Sequence, residues 1–235
     1  LQTKAEKRFS NGFSLIASFT WSKNIGNVGV PYWFGISVQN QYNLAAERAL
    51  SPIDVPKRTA LGYSYELPFG KGKAFGNSLP NWANLFVGGW QLTGITEFQS
   101  GMPLKITLPT NTIGFNAGQR PNNNGQSALL SPDKRTQSRW FDTSVFSLPT
   151  SYTFGNTGPY SPDLRGPNTN IWNAGFFKNF AIRERASLQF RAEFYNLFNH
   201  PIWAAPGTTL NSSTYGVVAQ KNGNRSGQLA LKLLF

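Results

Sequence analysis

Residues 186–197, ASLQFRAEFYNL, alternate between apolar and polar side chains. One side of an extended chain here carries apolar groups and the other carries polar ones: Leu188, Phe190, Ala192 and Phe194 against Gln189, Arg191, Glu193 and Tyr195. A period of two is what a β-strand between two different environments requires. The stretch therefore predicts a strand with one apolar and one polar face.

The same alternation recurs, more or less strictly, in six further segments: 1–9, 12–22, 57–67, 88–99, 171–182 and 229–235. These segments are longer than the usual strand of a water-soluble sheet, which has about five or six residues. A tilted strand needs about ten residues to cross a bilayer. The chain therefore predicts about seven long strands of membrane-spanning length.

The connections between these segments alternate between short or moderate ones and long ones. The first kind comprises Ser10-Asn11-Gly12, residues 68–87 and Arg183-Glu184-Arg185; the second comprises 23–56, 100–170 and 198–226. Short periplasmic turns and long extracellular loops are typical of outer-membrane barrels. We therefore predict an all-β fold, a section of an antiparallel transmembrane β-barrel with its C-terminus in the periplasm.

Composition excludes several other classes. The 235 residues are 40% hydrophobic and only 14% charged, carry a net charge of +12 and contain no Cys. Long helical bundles are richer in Ala, Glu, Lys and Leu, and disordered chains are poorer in apolar residues. The lack of Cys excludes a disulfide scaffold and any Cys-based metal or redox site.

Aromatic residues fall near both ends of the predicted strands. Trp21, Phe98 and Trp172 lie near the outer ends, and Phe9, Trp90, Phe180 and Phe235 lie near the inner ends. Aromatic girdles at both interfaces are expected of a transmembrane barrel. Lys7 and Lys178 are the only charges predicted on the lipid side, close enough to the inner rim to reach the headgroups.

Several motifs then resemble the C-terminal region of TonB-dependent outer-membrane receptors, in particular the Oar-like branch with a carboxypeptidase-regulatory-like domain. The residues that carry this resemblance are 17–23 (ASFTWSK), 65–72 (YELPFGKG), 118–122 (GQRPN), 139–142 (RWFD), 177–180 (FKNF) and 191–201 (RAEFYNLFNHP). The resemblance implies a plugged barrel of about 22 strands. It makes residues 1–235 the C-terminal part of that barrel domain, with the plug and the N-terminal strands missing.

The resemblance also implies partners. Energy coupling would come from the TonB complex through the missing N-terminal part. The final run, with Leu229, Leu231, Leu233 and the terminal Phe235, looks like the signal that the barrel-assembly machinery reads. The ligand would be an unknown small molecule, and siderophores, oligosaccharides, peptides and cobalamin all remain open.

Two groups of residues are candidates for ligand contact. Glu97, Arg191 and Glu193 are predicted on the polar side, where they would line the lumen or hold the plug, or only solvate a wet wall. Trp140, Phe141 and Tyr160 lie among Asn and Gly in the long loop, where aromatic faces and amides suit sugar or peptide capture. These aromatic residues could equally pack the loop against itself.

Other kinds of site are not expected. His200 is the single histidine, so neither a catalytic site nor a metal site is predicted, and no cofactor is implied. The run from Gly70 to Gly76 fits no phosphate-binding motif, and we expect a flexible turn without a following helix. The excess of positive charge indicates outer-membrane lipid and lipopolysaccharide rather than nucleic acid.

Three functional hypotheses follow, and the first is favoured. The chain is the wall of a transporter in the outer membrane, whose loops capture a scarce ligand for import into the periplasm. A second hypothesis is an adhesion or matrix-binding protein that uses its barrel as an anchor. A third is a soluble carbohydrate-binding β-sandwich.

Overall fold

One sheet of seven antiparallel strands dominates the computed structural model, which describes residues 1–27, 38–114, 118–183 and 186–235. The strands are β1 (Gln2–Ser10), β2 (Phe13–Trp21), β3 (Lys57–Glu66), β4 (Trp90–Gln99), β5 (Thr169–Arg183), β6 (Ala186–Tyr195) and β7 (Ser226–Leu234). Each strand pairs with its neighbour in the sequence, so the sheet is a simple meander. All seven strands predicted from the alternation are confirmed.

The hairpin at Asn11 and Gly12 is also confirmed. Both residues have positive φ, 53° and 76°, which is the geometry of a tight turn between antiparallel strands. Glu184 and Arg185 of the second predicted turn lie outside the described residues, as do residues 28–37 and 115–117 of the long loops.

The register aligns the apolar side chains of all seven strands on one side of the sheet. Leu92 of β4 is opposite Phe176 of β5, which is opposite Ala192 of β6, which in turn is opposite Leu229 of β7. Aromatic rings on neighbouring strands also meet edge to face, as in the diagonal contact of Phe98 with Trp172 at 5.7 Å. We call this side the apolar face and the opposite side, with Arg191 and Glu193, the polar face.

The sheet is open within the described residues. β1 pairs with β2 alone and β7 with β6 alone, and every residue of these two edge strands is exposed. The remaining β structure of the described chain consists of isolated bridges and of two-stranded ladders in the loops. The ladders join Ile25–Gly26 to Ala49–Leu50, Asn122–Asn123 to Phe146–Ser147, and Ile202–Trp203 to Gln220–Asn222. The β-sandwich hypothesis is wrong, because a sandwich requires a second sheet packed against the first.

The hydrophobic core lies in the long loops rather than between layers of sheet. It is formed by buried side chains from the second and third long loops: Leu104, Ile106, Ala128, Phe141, Val145, Leu164 and Leu210. Two short 3-10 helices, Leu44–Glu47 and Thr143–Val145, belong to the same region. The three long loops therefore fold together into what we call the loop domain, at the outer ends of the strands.

The connection between β3 and β4 is more ordered than predicted. A seven-residue helix, α1 (Asn81–Val87), follows the glycine-rich turn, so the expectation of no helix was wrong. Asn84 Oδ1 accepts a hydrogen bond of 2.7 Å from the backbone N–H of Lys71, which ties the helix back to the turn. No helix in the described part of the chain is long and apolar enough to cross a membrane.

Candidate ligand site in the outer loops

A buried ion pair joins the first long loop to the second. The Arg120 guanidinium donates two hydrogen bonds to the Glu47 carboxylate, at 3.1 and 2.9 Å, and the two side chains are only 4% and 3% exposed. Gln39 reinforces the joint, since its amide donates to the Gly155 carbonyl at 2.9 Å and accepts from the Arg120 N–H at 2.8 Å. The two loops are therefore locked at one position by directional contacts.

A second ion pair also joins the first two long loops, next to the outer ends of β3 and β4. Arg165 Nη2 lies 2.5 Å from Asp54 Oδ2, and the Asp54 side chain has no exposed surface. Arg165 Nη1 also donates to the carbonyl oxygens of Asp54 and Gly101, at 3.0 and 3.2 Å. Charge-assisted, multiply bonded guanidinium groups of this kind fix geometry well.

The third long loop joins by backbone hydrogen bonds. The N–H of Leu210 donates to the Thr107 carbonyl at 2.9 Å, and the N–H of Trp140 donates to the Gly216 carbonyl at 2.8 Å. Leu210 itself is buried in the loop core. All three loops consequently contribute to one rigid unit, which is a suitable platform for a binding site.

The second long loop of this unit forms a cavity of about 440 Å³ that is open to solvent on one side. Its lining combines polar groups with a few apolar ones: Asn123, Gln126, Ser127, Asn156, Thr157, Ser161 and Asp163, with Ile106, Ala128, Phe146 and Pro162. Small-molecule sites are typically concave, of about 300–1,000 Å³, with a few convergent polar groups. The cavity is thus our candidate ligand site.

The polar groups of the cavity are held in place by one another. Asp163 accepts a hydrogen bond from the Ser161 hydroxyl at 2.7 Å and a second one from the Ser127 hydroxyl. The Asn156 side chain accepts a hydrogen bond from the backbone N–H of Asn123 at 2.7 Å and donates one to the Asn123 carbonyl at 3.0 Å. Among the described residues that line the cavity, Asp163 is the only charged one.

The aromatic residues predicted for ligand contact in this loop take different positions. Phe141 is fully buried between Phe146 and Tyr215, at ring distances of 6.3 and 5.4 Å, so it packs the core and offers no surface to a ligand. Trp140 is half-buried, with its indole N–H donating to the Arg165 carbonyl at 2.7 Å. Tyr160 is half-buried near the cavity, and burial raises the pKa of its phenol.

The chain matches the family model of the outer membrane beta barrel domain over residues 1–228. It belongs to that family. Comparisons with curated proteins and with solved structures gave no match. The protein is therefore an outer-membrane protein, and its seven strands form part of a transmembrane barrel wall, as the sequence predicted.

In an outer membrane beta barrel domain the apolar face meets lipid and the polar face meets the lumen. Glu97, Arg191 and Glu193 all lie on the polar face, but at different heights, since Glu97 is opposite Ile171 of β5 and Glu193 is opposite Gly175. Their predicted position is confirmed, whereas a role in binding stays a prediction.

The lumen residues are also engaged with neighbours. Arg191 Nη2 lies 2.9 Å from Glu193 Oε1, and the guanidinium sits over the Phe177 ring at 4.9 Å. Glu193 accepts a further hydrogen bond from Gln228 of β7 at 2.6 Å. Glu97 Oε2 lies 3.7 Å from Arg58 Nη2, and both side chains are about half exposed. These contacts brace the wall between strands.

The expectation that Lys7 and Lys178 are the only charges on the lipid side was wrong, because Lys57 lies opposite Trp21 at the outer end of β3 and so shares that side. Lys178 also differs from expectation. It is only 3% exposed and donates a hydrogen bond to the Gly88 carbonyl, in the connection that contains α1. Its ammonium group also lies 5.4 Å from the centre of the Trp90 ring. The barrel domain therefore satisfies this charge internally instead of sending it to the headgroups, whereas Lys7 is exposed and lies over the Phe13 ring at 5.2 Å.

The residues that resemble an assembly signal lie on the edge strand of the barrel section. Leu229, Leu231 and Leu233 are 71%, 67% and 55% exposed on the apolar face of β7, and Phe235 is 99% exposed. An unpaired edge with apolar side chains is a template for pairing with another strand.

The cavity residues were missed by the sequence reasoning. Asn123, Ser127, Asn156 and Asp163 fall in stretches rich in Asn, Gly, Pro and Ser, which indicate only loops. Gly155 is the one local sign of this packing. The segment that contains it crosses the segment of Arg120 so closely that a Cβ atom at position 155 would lie 1.8 Å from the Arg120 carbonyl oxygen. A single sequence shows the glycine but not the crossing.

The loop domain has one further local anchor. Asp142 begins the short helix Thr143–Val145, and hydrogen bonds from the Ser144 hydroxyl and N–H hold the pKa of its carboxyl below the ordinary value. Because the folded pKa is lowered, this contribution to stability is lost as the pH falls through that lowered value.

No group of three or more His, Cys, Asp or Glu side chains is placed to hold a metal ion in the described residues.

Proposed function

We propose that this chain forms the C-terminal part of the wall of a TonB-dependent outer-membrane transporter, and that its loop domain captures the ligand. The observation that carries the proposal is the cavity in a rigid unit at the outer ends of the strands. The receptor-like motifs, among them residues 191–201 and 177–180, support the finer assignment. The role is binding and import rather than catalysis, with energy supplied by the TonB complex through another part of the receptor.

The chemistry of the cavity favours a neutral ligand rich in hydroxyl groups, such as an oligosaccharide. The chain carries a net charge of +12, yet the one charge in the described lining is the carboxylate of Asp163. The carboxylate accepts hydrogen bonds from hydroxyl groups, and the side-chain amides both donate to them and accept from them. The Phe146 ring offers an apolar surface for a sugar face. An anionic ferric chelate would instead be repelled by Asp163.

A contact with lipopolysaccharide is supported by the basic residues Lys23 and Arg48 beside Trp21, a surface that we call the outer rim. Lys23 and Arg48 line a second cavity of about 620 Å³ beside Trp21, at the outer end of β2. Cations next to an interfacial tryptophan suit the phosphate groups of this lipid. We propose that this rim binds lipopolysaccharide and that the terminal run with Phe235 contacts the barrel-assembly machinery.

The substitution Asp163→Asn tests the ligand site. We expect it to weaken oligosaccharide binding roughly ten- to a hundredfold, because a hydrogen bond to a charged group is lost. Binding is measured by calorimetry on the purified receptor with a panel of neutral oligosaccharides, with cyanocobalamin and a ferric hydroxamate as contrasting probes. Asp133→Asn is the matched control, since Asp133 is an exposed aspartate of the same long loop.

Transport is tested with the oligosaccharide that binds best. Cells that express the receptor should accumulate the labelled sugar, and removal of the TonB energy transducer should abolish accumulation while surface binding persists. Binding without accumulation in both strains would contradict transport and favour the adhesion hypothesis. Equal binding by Asp163→Asn and the native protein would contradict the proposed site.

A further inference from the structure

The connection between β3 and β4 exposes an unusual set of apolar side chains. In α1, Trp82 is 71%, Leu85 52% and Phe86 68% exposed. Residues three and four positions apart share one side of a helix, so these three side chains form a single apolar surface. Water-soluble protein surfaces rarely expose so many large apolar groups together, and such a patch indicates a contact surface.

The side-chain amides of this connection form hydrogen bonds within the connection itself. Lys71 Nζ donates to Asn81 Oδ1 at 2.5 Å, and the Lys71 N–H donates to Asn84 Oδ1 at 2.7 Å. The N–H of Gly72 donates to Asn77 Oδ1 at 2.8 Å. The asparagines therefore hold the turn and the helix together, which fixes the outward direction of the apolar surface.

The helix is attached to the lipid-facing side of the wall. The Trp90 indole N–H donates to the Phe86 carbonyl at 2.8 Å, and Lys178 donates to the Gly88 carbonyl. Trp90 and Lys178 are opposite each other on the apolar face, near its inner end. The C-terminal end of α1 is thus attached beside the surface that meets lipid.

Basic residues flank this surface. Lys71 is exposed and Lys73 is partly exposed, where it pairs with Glu66 at 2.9 Å. An apolar helix surface beside lysines is the composition of a helix that lies in a membrane interface, with its rings at the headgroup level. The ammonium groups would then lie near lipid phosphates.

We propose that α1 is an interfacial anchor that lies in the headgroup region of the periplasmic leaflet of the outer membrane, with phospholipid as its partner. The anchor fixes the inner rim of the wall at the depth of the membrane surface. Lys178, by bonding the Gly88 carbonyl, holds the helix against the wall, which explains a buried lysine on a lipid-facing strand.

Residues 1–235 contain no cysteine, so each variant introduces the single cysteine of this part of the receptor. Any cysteine elsewhere in the receptor is replaced by serine before labelling. Phe86→Cys and Trp82→Cys place a nitroxide label on the apolar surface of α1, and both positions are exposed enough to accept it. Tyr42→Cys is the control, because Tyr42 is 90% exposed in the first long loop, on the opposite side of the membrane. The intact receptor is reconstituted in phospholipid vesicles for electron paramagnetic resonance.

The expected result is a ratio of oxygen to nickel-complex collision rates that is severalfold higher at positions 82 and 86 than at position 42, because oxygen concentrates in lipid and the nickel complex in water. A ratio at both α1 positions equal to that at position 42 would overturn the proposal. Low collision rates with both reagents would also overturn it, since they would show that another protein surface covers the helix.

Discussion

Arg120→Ala is expected to unfold the loop domain locally while the barrel wall stays assembled. The Arg120 and Glu47 side chains are 4% and 3% exposed and pair at 2.9 Å, so the substitution leaves an uncompensated carboxylate in the interior. Breaking a buried ion pair in this way costs about 3–5 kcal/mol. That is a large fraction of the stability of a domain, which is about 5–15 kcal/mol.

The measurement is limited proteolysis of outer-membrane vesicles, followed by electrophoresis of unheated and heated samples. Cleavage within residues 100–170 should accelerate strongly in Arg120→Ala, whereas the heat-dependent shift typical of a folded barrel should remain. Arg139→Ala is the matched control, because Arg139 pairs with Asp142 at 3.4 Å on the surface, where its side chain is 57% exposed. Exposed pairs contribute about 0–1 kcal/mol, so an equal effect of both substitutions would contradict the prediction.

Phe141→Ala is expected to have a comparable effect by a different mechanism. The Phe141 ring is fully buried and contacts the rings of Phe146 and Tyr215. Truncation of a buried phenylalanine leaves a cavity and costs about 3–5 kcal/mol. Because Phe146 also lines the ligand cavity, oligosaccharide binding should fall together with resistance to protease.

Tyr42→Ala serves as the control for Phe141→Ala, since Tyr42 is an aromatic residue of the loops that is 90% exposed. A surface substitution of this kind usually changes stability by less than about 0.5 kcal/mol. The assignment of Phe141 to the core would be contradicted by native resistance to protease in Phe141→Ala. Loss of binding without loss of resistance would instead restore its predicted contact with ligand.

The strands could be predicted from the sequence because successive residues of each strand face lipid and lumen in turn, which makes their side chains alternate between apolar and polar. Leu188, Phe190 and Phe194 in β6 face lipid, and the intervening Arg191 and Glu193 face the lumen, so the alternation is visible without a partner strand. The tight turn at Asn11 and Gly12 was equally local, since these residue types favour positive φ.

The loop domain could not be predicted in the same way. Leu104 and Leu210 lie in one core although long stretches of chain separate them, and irregular backbone gives their positions no period. The ion pair of Arg120 with Glu47 is likewise a contact between two loops. The sequence offers Trp140, Phe141 and Tyr160 for ligand contact or for packing within the loop, and only the folded structure distinguishes the core ring of Phe141 from the half-buried rings of the other two.

Helix α1 was missed for a different reason. Seven residues are too few to show a helical period, and the preceding Gly70–Gly76 run indicates a turn by composition alone. The side-chain amides of Asn77, Asn81 and Asn84 stabilise the connection through contacts that a turn-like composition does not reveal.

Orientation across the outer membrane tests the central claim most directly, because the ligand site, the rim and α1 all depend on it. A membrane-impermeant maleimide is applied to intact cells that carry either Tyr152→Cys, at a position 82% exposed in the loop domain, or Phe75→Cys, at a position 59% exposed in the connection between β3 and β4. We predict labelling of position 152 in intact cells, and of position 75 only after the outer membrane is permeabilised. Labelling of position 75 in intact cells, with position 152 protected, would contradict the account.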